Sequence, residues 1–127
     1  MVTLYHKLYF IETYGINIIM PVAGANEKIH EAISILEGVT FEPHRFGGTE
    51  YRLGKREIGH VHGNYLVDIP LTKKVKSELI AEGKAVDHHV LPQSGWVSVY
   101  LNEPSDVDNA INLLKKSYGI SVKQTKN

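Results

Sequence analysis

Residues 41–70 constrain the fold more than any other stretch, because they alternate short strand-like runs with glycine turns. The segment reads FEPHRFGGTEYRLGKREIGHVHGNYLVDIP. Gly54-Lys55 and Gly63-Asn64 suit the tight turns of β-hairpins, since glycine and asparagine tolerate positive φ. The strands expected from this pattern cover about 49–53, 56–62 and 65–70, with a further one at 39–46.

Helical patterns flank this strand-rich stretch. Apolar residues at three- and four-residue spacing predict helices that start at Asn26, Thr72 and Ser105. Each of these side chains can cap a helix, and a glycine at 38, 83 or 119 ends each pattern. Weaker patterns predict a helix at 3–14 and strands at 16–22, 85–91, 96–101 and 120–123.

The order of these elements indicates the fold class. Helices before and after an antiparallel run, without regular βαβ alternation, favour an α+β domain. We expect a single domain over residues 1–127, built on a twisted antiparallel sheet of about five strands with helices packed on one face. Residues 1–37 would form an N-terminal extension and the first helix.

Composition narrows the cellular context and the partners. The chain has no cysteine, which fits a cytoplasmic protein. Lysine plus arginine and aspartate plus glutamate both total 14, so no basic field favours nucleic acid. No apolar run is long enough to span a membrane. The apolar side chains of the first 20 residues predict a homo-oligomer, most simply a dimer.

Strand periodicity predicts which polar side chains share a sheet face. Alternation along 56–62 places Arg56, His60 and His62 on one face and Glu57 on the other. A tight turn at Gly54-Lys55 would pair residue 53 with 56, 52 with 57 and 50 with 59. Glu50 and Glu57 would then lie opposite the histidines, unless a β-bulge reverses the alternation.

These side chains allow both structural and functional interpretations. His60 and His62 could converge on one ligand, with Asp68 beside them, or could hydrogen-bond within a half-buried sheet. The sequence assigns no metal, because His-x-His is common by chance and no cysteine or HExxH motif accompanies it. The arginines could form ordinary cross-strand ion pairs, or one could clamp an anion. Ser94 belongs to a turn-like Pro-Gln-Ser-Gly sequence.

Four motifs stand out in the sequence: HRFGG at 44–48, REIGHVHG at 56–63, DIP at 68–70 and SGW at 94–96. Together they resemble a small domain family that carries the label "luciferase family" or "luciferase domain". The resemblance covers about residues 38–119. It implies that the histidine, arginine and glutamate residues are the family's signature, without implying a mechanism or a cofactor.

The leading functional hypothesis is a small-ligand-binding domain with a His/Arg/Glu pocket, acting on a polar or anionic ligand by histidine acid–base chemistry. The alternative is a non-catalytic protein-interaction module whose polar cluster is structural. The cofactor is unknown. Candidate catalytic residues are His60, His62, Glu57 and His89. Candidate ligand-binding residues are His44, Arg45, Glu50, Arg56, Asp68, Ser94 and Trp96.

Overall fold

A six-stranded antiparallel sheet forms the centre of the computed structural model, which describes residues 21–44 and 47–125. The strands lie in the order β1-β2-β3-β4-β6-β5. They are β1 (Val39–Pro43), β2 (Thr49–Leu53), β3 (Arg56–His62), β4 (Leu66–Pro70), β5 (Val86–Asp87) and β6 (Trp96–Tyr100). The helices are α1 (Ala25–Ser34), α2 (Lys73–Ala81) and α3 (Pro104–Thr125).

This architecture confirms the predicted α+β class, with one strand more than the expected number. The predicted helix at 3–14 and most of the predicted strand at 16–22 lie outside the described residues. Among the helices that are described, none combines the length and the apolar character needed to cross a bilayer.

One face of the sheet carries the hydrophobic core. Val67 and Val97 are fully buried there, together with Ile29 and Ile33 of α1 and Leu114 of α3. Burying an aliphatic side chain of this size stabilises the fold by about 1.5–3 kcal/mol. We call this the helix face, and the opposite one the polar face.

The predicted N-terminal caps of the helices are confirmed only in part. Thr72 caps α2 as predicted, because its Oγ1 accepts the Val75 amide at 3.1 Å. Asn26 does not cap α1. It lies inside the first turn, and its backbone amide donates to Oδ1 of Asn64 at 2.7 Å. A distant turn residue therefore satisfies the amide that a local cap would have bound.

Helix α3 differs from the prediction at both ends. Asp106, rather than Ser105, accepts the amides that precede the helix, at Asn102 and Glu103. The helix continues through Gly119 to Thr125, so the predicted strand at 120–123 is wrong.

The predicted strand at 85–91 shortens to two residues. The chain leaves the sheet after Asp87 because Nδ1 of His88 accepts the backbone amides of Val90 and Leu91, both at 3.1 Å. These two bonds fold the following residues into a loop beside the sheet.

The β2–β3 hairpin contains a β-bulge that changes which side chains share a face. Leu53 pairs with Arg56 and Arg52 with Glu57, as predicted. Tyr51 then pairs with Gly59, which leaves Ile58 as an extra residue without a partner on β2. An extra residue of this kind shifts the alternation of every residue that follows it.

The bulge overturns the predicted opposition of glutamates and histidines. Glu50 pairs with His60 rather than with Gly59, and Glu57 contacts His60 on the polar face. Arg56 instead lies on the helix face, against α3.

We predict that Gly59→Ala destabilises the fold by about 1–3 kcal/mol. A Cβ at this position would lie 2.6 Å from Cδ2 of Leu114 and 2.8 Å from the carbonyl oxygen of Asp68. Gly119→Ala is the matched control, because nothing lies within 4 Å of its Cβ position and it occupies a helix. We expect Gly119→Ala to raise the free energy of unfolding by about 0.5–1 kcal/mol. Urea unfolding measures both, and shifts of the same sign would contradict the close packing at the bulge.

Candidate functional site

A row of polar residues crosses the polar face at the middle of the sheet. Glu50 of β2 pairs with His60 of β3, His60 with Asp68 of β4, and Asp68 with Ser98 of β6. Cross-strand partners lie on the same face and close together. The strand order therefore brings four polar side chains, widely separated in sequence, into one line.

Asp68 is the most deeply buried member of this row. It has no exposed surface, and Ser98 Oγ donates to its Oδ1 at 2.6 Å. Its Oδ2 lies 3.2 Å from Nε2 of His60 and 3.1 Å from Nε2 of His62. Burial alone would raise the pKa of Asp68, but the hydrogen bonds from His60 and Ser98 lower it to about 2.

His60 lies between two carboxylates. Its Nδ1 is 2.6 Å from Oε2 of Glu57, while its Nε2 faces Asp68. Burial would lower the pKa of His60, yet the bonds to Asp68 and Glu57 outweigh that effect and raise it to about 9. The two carboxylates fix both the orientation of the ring and its charge.

The pKa values of two neighbouring imidazoles are shifted in the opposite direction, below their ordinary value. Burial lowers the pKa of His62, and the charge of nearby His60 lowers it further. Burial also lowers the pKa of His88. Because Nδ1 of His88 accepts two backbone amides, the neutral ring carries its proton on Nε2, which lies 3.6 Å from Oδ2 of Asp68.

His60, His62 and Asp68 form the floor of a pocket of about 410 Å³ on the polar face. Its volume is in the usual range for small-molecule sites. The pocket is lined by His44, Glu57, His60, His62, Asp68, His88, His89, Val90, Leu91 and Trp96.

The rings of the pocket contact one another. His44 stacks on His60 with 4.2 Å between ring centroids, and His88 stacks on His89 at 4.4 Å. Trp96 lies 5.5 Å from His60. Val90 and Leu91 form an apolar side of the pocket and remain largely exposed, at 67% and 47%.

The pocket brings together seven of the eleven candidate residues. They are His44, Glu57, His60, His62, Asp68, His89 and Trp96. Glu50 adjoins this group, with its Oε1 4.0 Å from Nε2 of His44. Ser94 lines a different cavity, and its hydroxyl donates to the Leu91 carbonyl as part of a turn. Arg45 lies outside the described residues.

Arg56 is separated from the pocket by the sheet. Its Nη1 donates to the hydroxyls of Ser117 and Ser121 at 3.1 and 2.6 Å, and its Nη2 to the carbonyl of Pro70 at 3.1 Å. Burial lowers the pKa of the guanidinium, and Glu57 opposes that effect. These bonds join β3 to α3 and to the end of β4.

The candidate set lacks three residues of the pocket lining, His88, Val90 and Leu91, and it also lacks Ser98, which bonds Asp68. Ser98 is a direct neighbour of Asp68 once β4 and β6 are paired. The sequence gives no indication of that pairing, because 30 residues separate the two positions.

The site also contains two groups of side chains whose donor atoms lie close enough together to hold a metal ion. One atom each from His60, His62 and Asp68 lies within 4.8 Å of the others, and the same holds for Asp68, His88 and His89.

Comparison with known proteins agrees with the resemblance found in the sequence. Residues 55–117 match the family model described as the Luciferase domain. The matched segment contains every residue that lines the pocket except His44. No curated protein and no solved structure gives a significant match.

We predict that Arg56→Ala costs about 2–3 kcal/mol of folding stability, because it leaves several buried acceptors without a charged donor. Arg52→Ala is the control on the neighbouring strand. Its side chain keeps 30% of its surface exposed and bonds Glu50 and the Lys55 carbonyl, so we expect a loss below about 1 kcal/mol. Equal urea midpoints for the two variants would argue against this structural role for Arg56.

Proposed function

We propose that the pocket binds a small polar ligand and that its imidazoles transfer protons to or from that ligand. The observation that carries the proposal is the convergence of His60 and His62 on the buried carboxylate of Asp68, at the floor of an open pocket. Histidine is suited to proton transfer because its ordinary pKa lies near neutrality.

The energetics of the floor support a site rather than a simple scaffold. Burying ionisable groups costs free energy that their pairing often only offsets, so stability alone does not favour such a cluster over apolar residues. The helix face already supplies an apolar core. A group of charged and polar side chains under a cavity is typical of a functional site.

The described lining favours a polar ligand over an anionic one. It includes two carboxylates, from Glu57 and Asp68, but no arginine or lysine. Arg52 and Arg56 are engaged elsewhere. A ligand with hydrogen-bonding groups can face the imidazoles, while its apolar part contacts Trp96 and Leu91.

Under this proposal the candidate residues have different roles. His60 and His62 contact the ligand at the floor, and Glu57 orients the ring of His60 as a partner carboxylate does in other histidine sites. His89 is the most exposed of the pocket histidines, with 43% of its side chain accessible, and it faces ligand entering from solvent. His44, Asp68 and Trp96 complete the binding surface.

The alternative from the sequence is an interaction module with a structural polar cluster. That hypothesis expects the polar residues to be dispersed over both faces of the sheet. Seven of the eleven candidates line one pocket, which supports the ligand-binding proposal.

A screen of small polar molecules by NMR tests the proposal. We expect hits to shift the imidazole resonances of His60, His62 and His89 while leaving that of His30 unchanged. His30 is the control because it contacts Tyr51, with 2.8 Å between Nδ1 and the hydroxyl, on the helix face. Trp96→Ala removes part of the pocket wall and should weaken the affinity for each hit about tenfold, the effect of about 1.4 kcal/mol.

The screen distinguishes the two hypotheses. Hits that shift exposed residues outside the pocket, or that bind Trp96→Ala as tightly as wild type, would contradict the pocket. The imidazole shifts must also saturate with one ligand per chain.

The homodimer remains a prediction of the sequence. The mass of one chain is 14.2 kDa. Light scattering at tens of micromolar protein should give twice that mass. A monomer mass over that concentration range would contradict the prediction without bearing on the pocket.

A further inference from the structure

We propose that His60, His62 and Asp68 bind a divalent transition-metal ion of the zinc class at the floor of the pocket. The inference rests on the proposed function, because it names a component of the ligand site. Two imidazoles and one carboxylate are a donor set that suits such ions, and three protein ligands leave a coordination position open.

The distances among the donor atoms agree with one shared ion. Zinc bonds of about 2.0–2.1 Å in a tetrahedral site place neighbouring ligand atoms roughly 3.3–3.4 Å apart. Oδ2 of Asp68 lies 3.2 Å from Nε2 of His60 and 3.1 Å from Nε2 of His62. All three donor atoms lie within 4.8 Å of one another, so side-chain rotations that adjust these separations would allow them to bind one ion.

The surroundings of His60 match those of a metal ligand. A histidine that binds metal through one nitrogen usually donates its other N–H to a carboxylate or a carbonyl. Nδ1 of His60 lies 2.6 Å from Oε2 of Glu57, which leaves Nε2 to face Asp68 and His62. Glu57 is thus a positioning residue for the site.

The second set of donors, Asp68 with His88 and His89, is less suitable. Nδ1 of His88 already accepts two backbone amides, so its lone pair is unavailable. Nδ1 of His89 lies 3.9 Å from Asp68 and is much more exposed. We therefore assign the ion to the first set, with His88 as a neighbour that does not coordinate it.

When bound, a metal ion at this position would polarise an oxygen of the polar ligand at its open coordination position. The ion would replace the proton on Nε2 of His60, so His60 and His62 would hold the ion and His89 would remain as an imidazole for proton transfer. The chemistry at the floor would combine a Lewis acid with a shaped, partly apolar cavity.

Isothermal titration of the chelator-treated, tag-free chain with Zn²⁺, and optical titration with Co²⁺, test the inference. We expect one ion per chain for the wild type. His62→Ala should weaken binding by about tenfold or more, and Glu57→Gln by about 10–100-fold, the effect typical of outer-shell partners. His89→Ala and His30→Ala should stay within about threefold of wild type, because neither is assigned as a ligand or as its partner.

Circular dichroism confirms folding of each variant, and Asp68→Asn provides a second ligand variant if His62→Ala does not fold. Absence of 1:1 binding to the wild type, or an equal loss in His89→Ala and His62→Ala, would overturn the assignment. Repeating the small-molecule titration in chelator separates the two proposals. Ligand binding without any metal affinity would leave the pocket proposal intact and remove only the metal.

Discussion

The buried carboxylate of Asp68 is the interaction on which the arrangement of the polar face depends. An ionised carboxylate inside a protein is costly unless charged or hydrogen-bonding groups surround it. Ser98 supplies one hydroxyl donor, and His60 and His62 approach the other oxygen. Because these partners come from β3 and β6, on either side of β4, one residue ties three strands to a fixed relative position.

The β-bulge at Ile58 reconciles this polar cluster with the core. A regular strand would place Glu57 and His60 on opposite faces, and one of them would then point toward the helices. The extra residue lets Ile58 and Gly59 both face the helix layer, where Ile58 is fully buried and Gly59 lies beside Leu114. Bulges next to functional sites commonly redirect a side chain in this way.

The sequence predicted correctly those features of the β2–β3 hairpin that local interactions determine. Gly54 and Lys55 set the first two pairs of the β2–β3 hairpin, because a tight turn fixes the register of its neighbours. The register beyond those pairs was not predictable, since Ile58 is an ordinary strand residue and carries no signal for a bulge. Only the packing of both sheet faces determines that position.

Non-local contacts account for the other differences. A glycine late in a helical pattern usually marks the end of the helix. Helix α3 continues past Gly119 because Ser121, in the next turn, is buried and accepts a bond from Arg56. The same bond holds Arg56 on the helix face, so Arg56 does not line the pocket that the sequence analysis predicted for it. Tertiary contacts of this kind override local propensity, and no spacing rule reveals them.

The floor and the side of the pocket have different structural origins, and under the proposed function this separates chemistry from selectivity. The floor belongs to the sheet, where paired strands hold His60 and Asp68 rigidly. The apolar side belongs to the loop after β5, which His88 anchors through the amides of Val90 and Leu91. Rigid elements position reacting groups more precisely than loops do, whereas loops tolerate change. On that proposal, substitutions at Val90 and Leu91 can alter which ligand fits without moving His60 and His62 of the sheet.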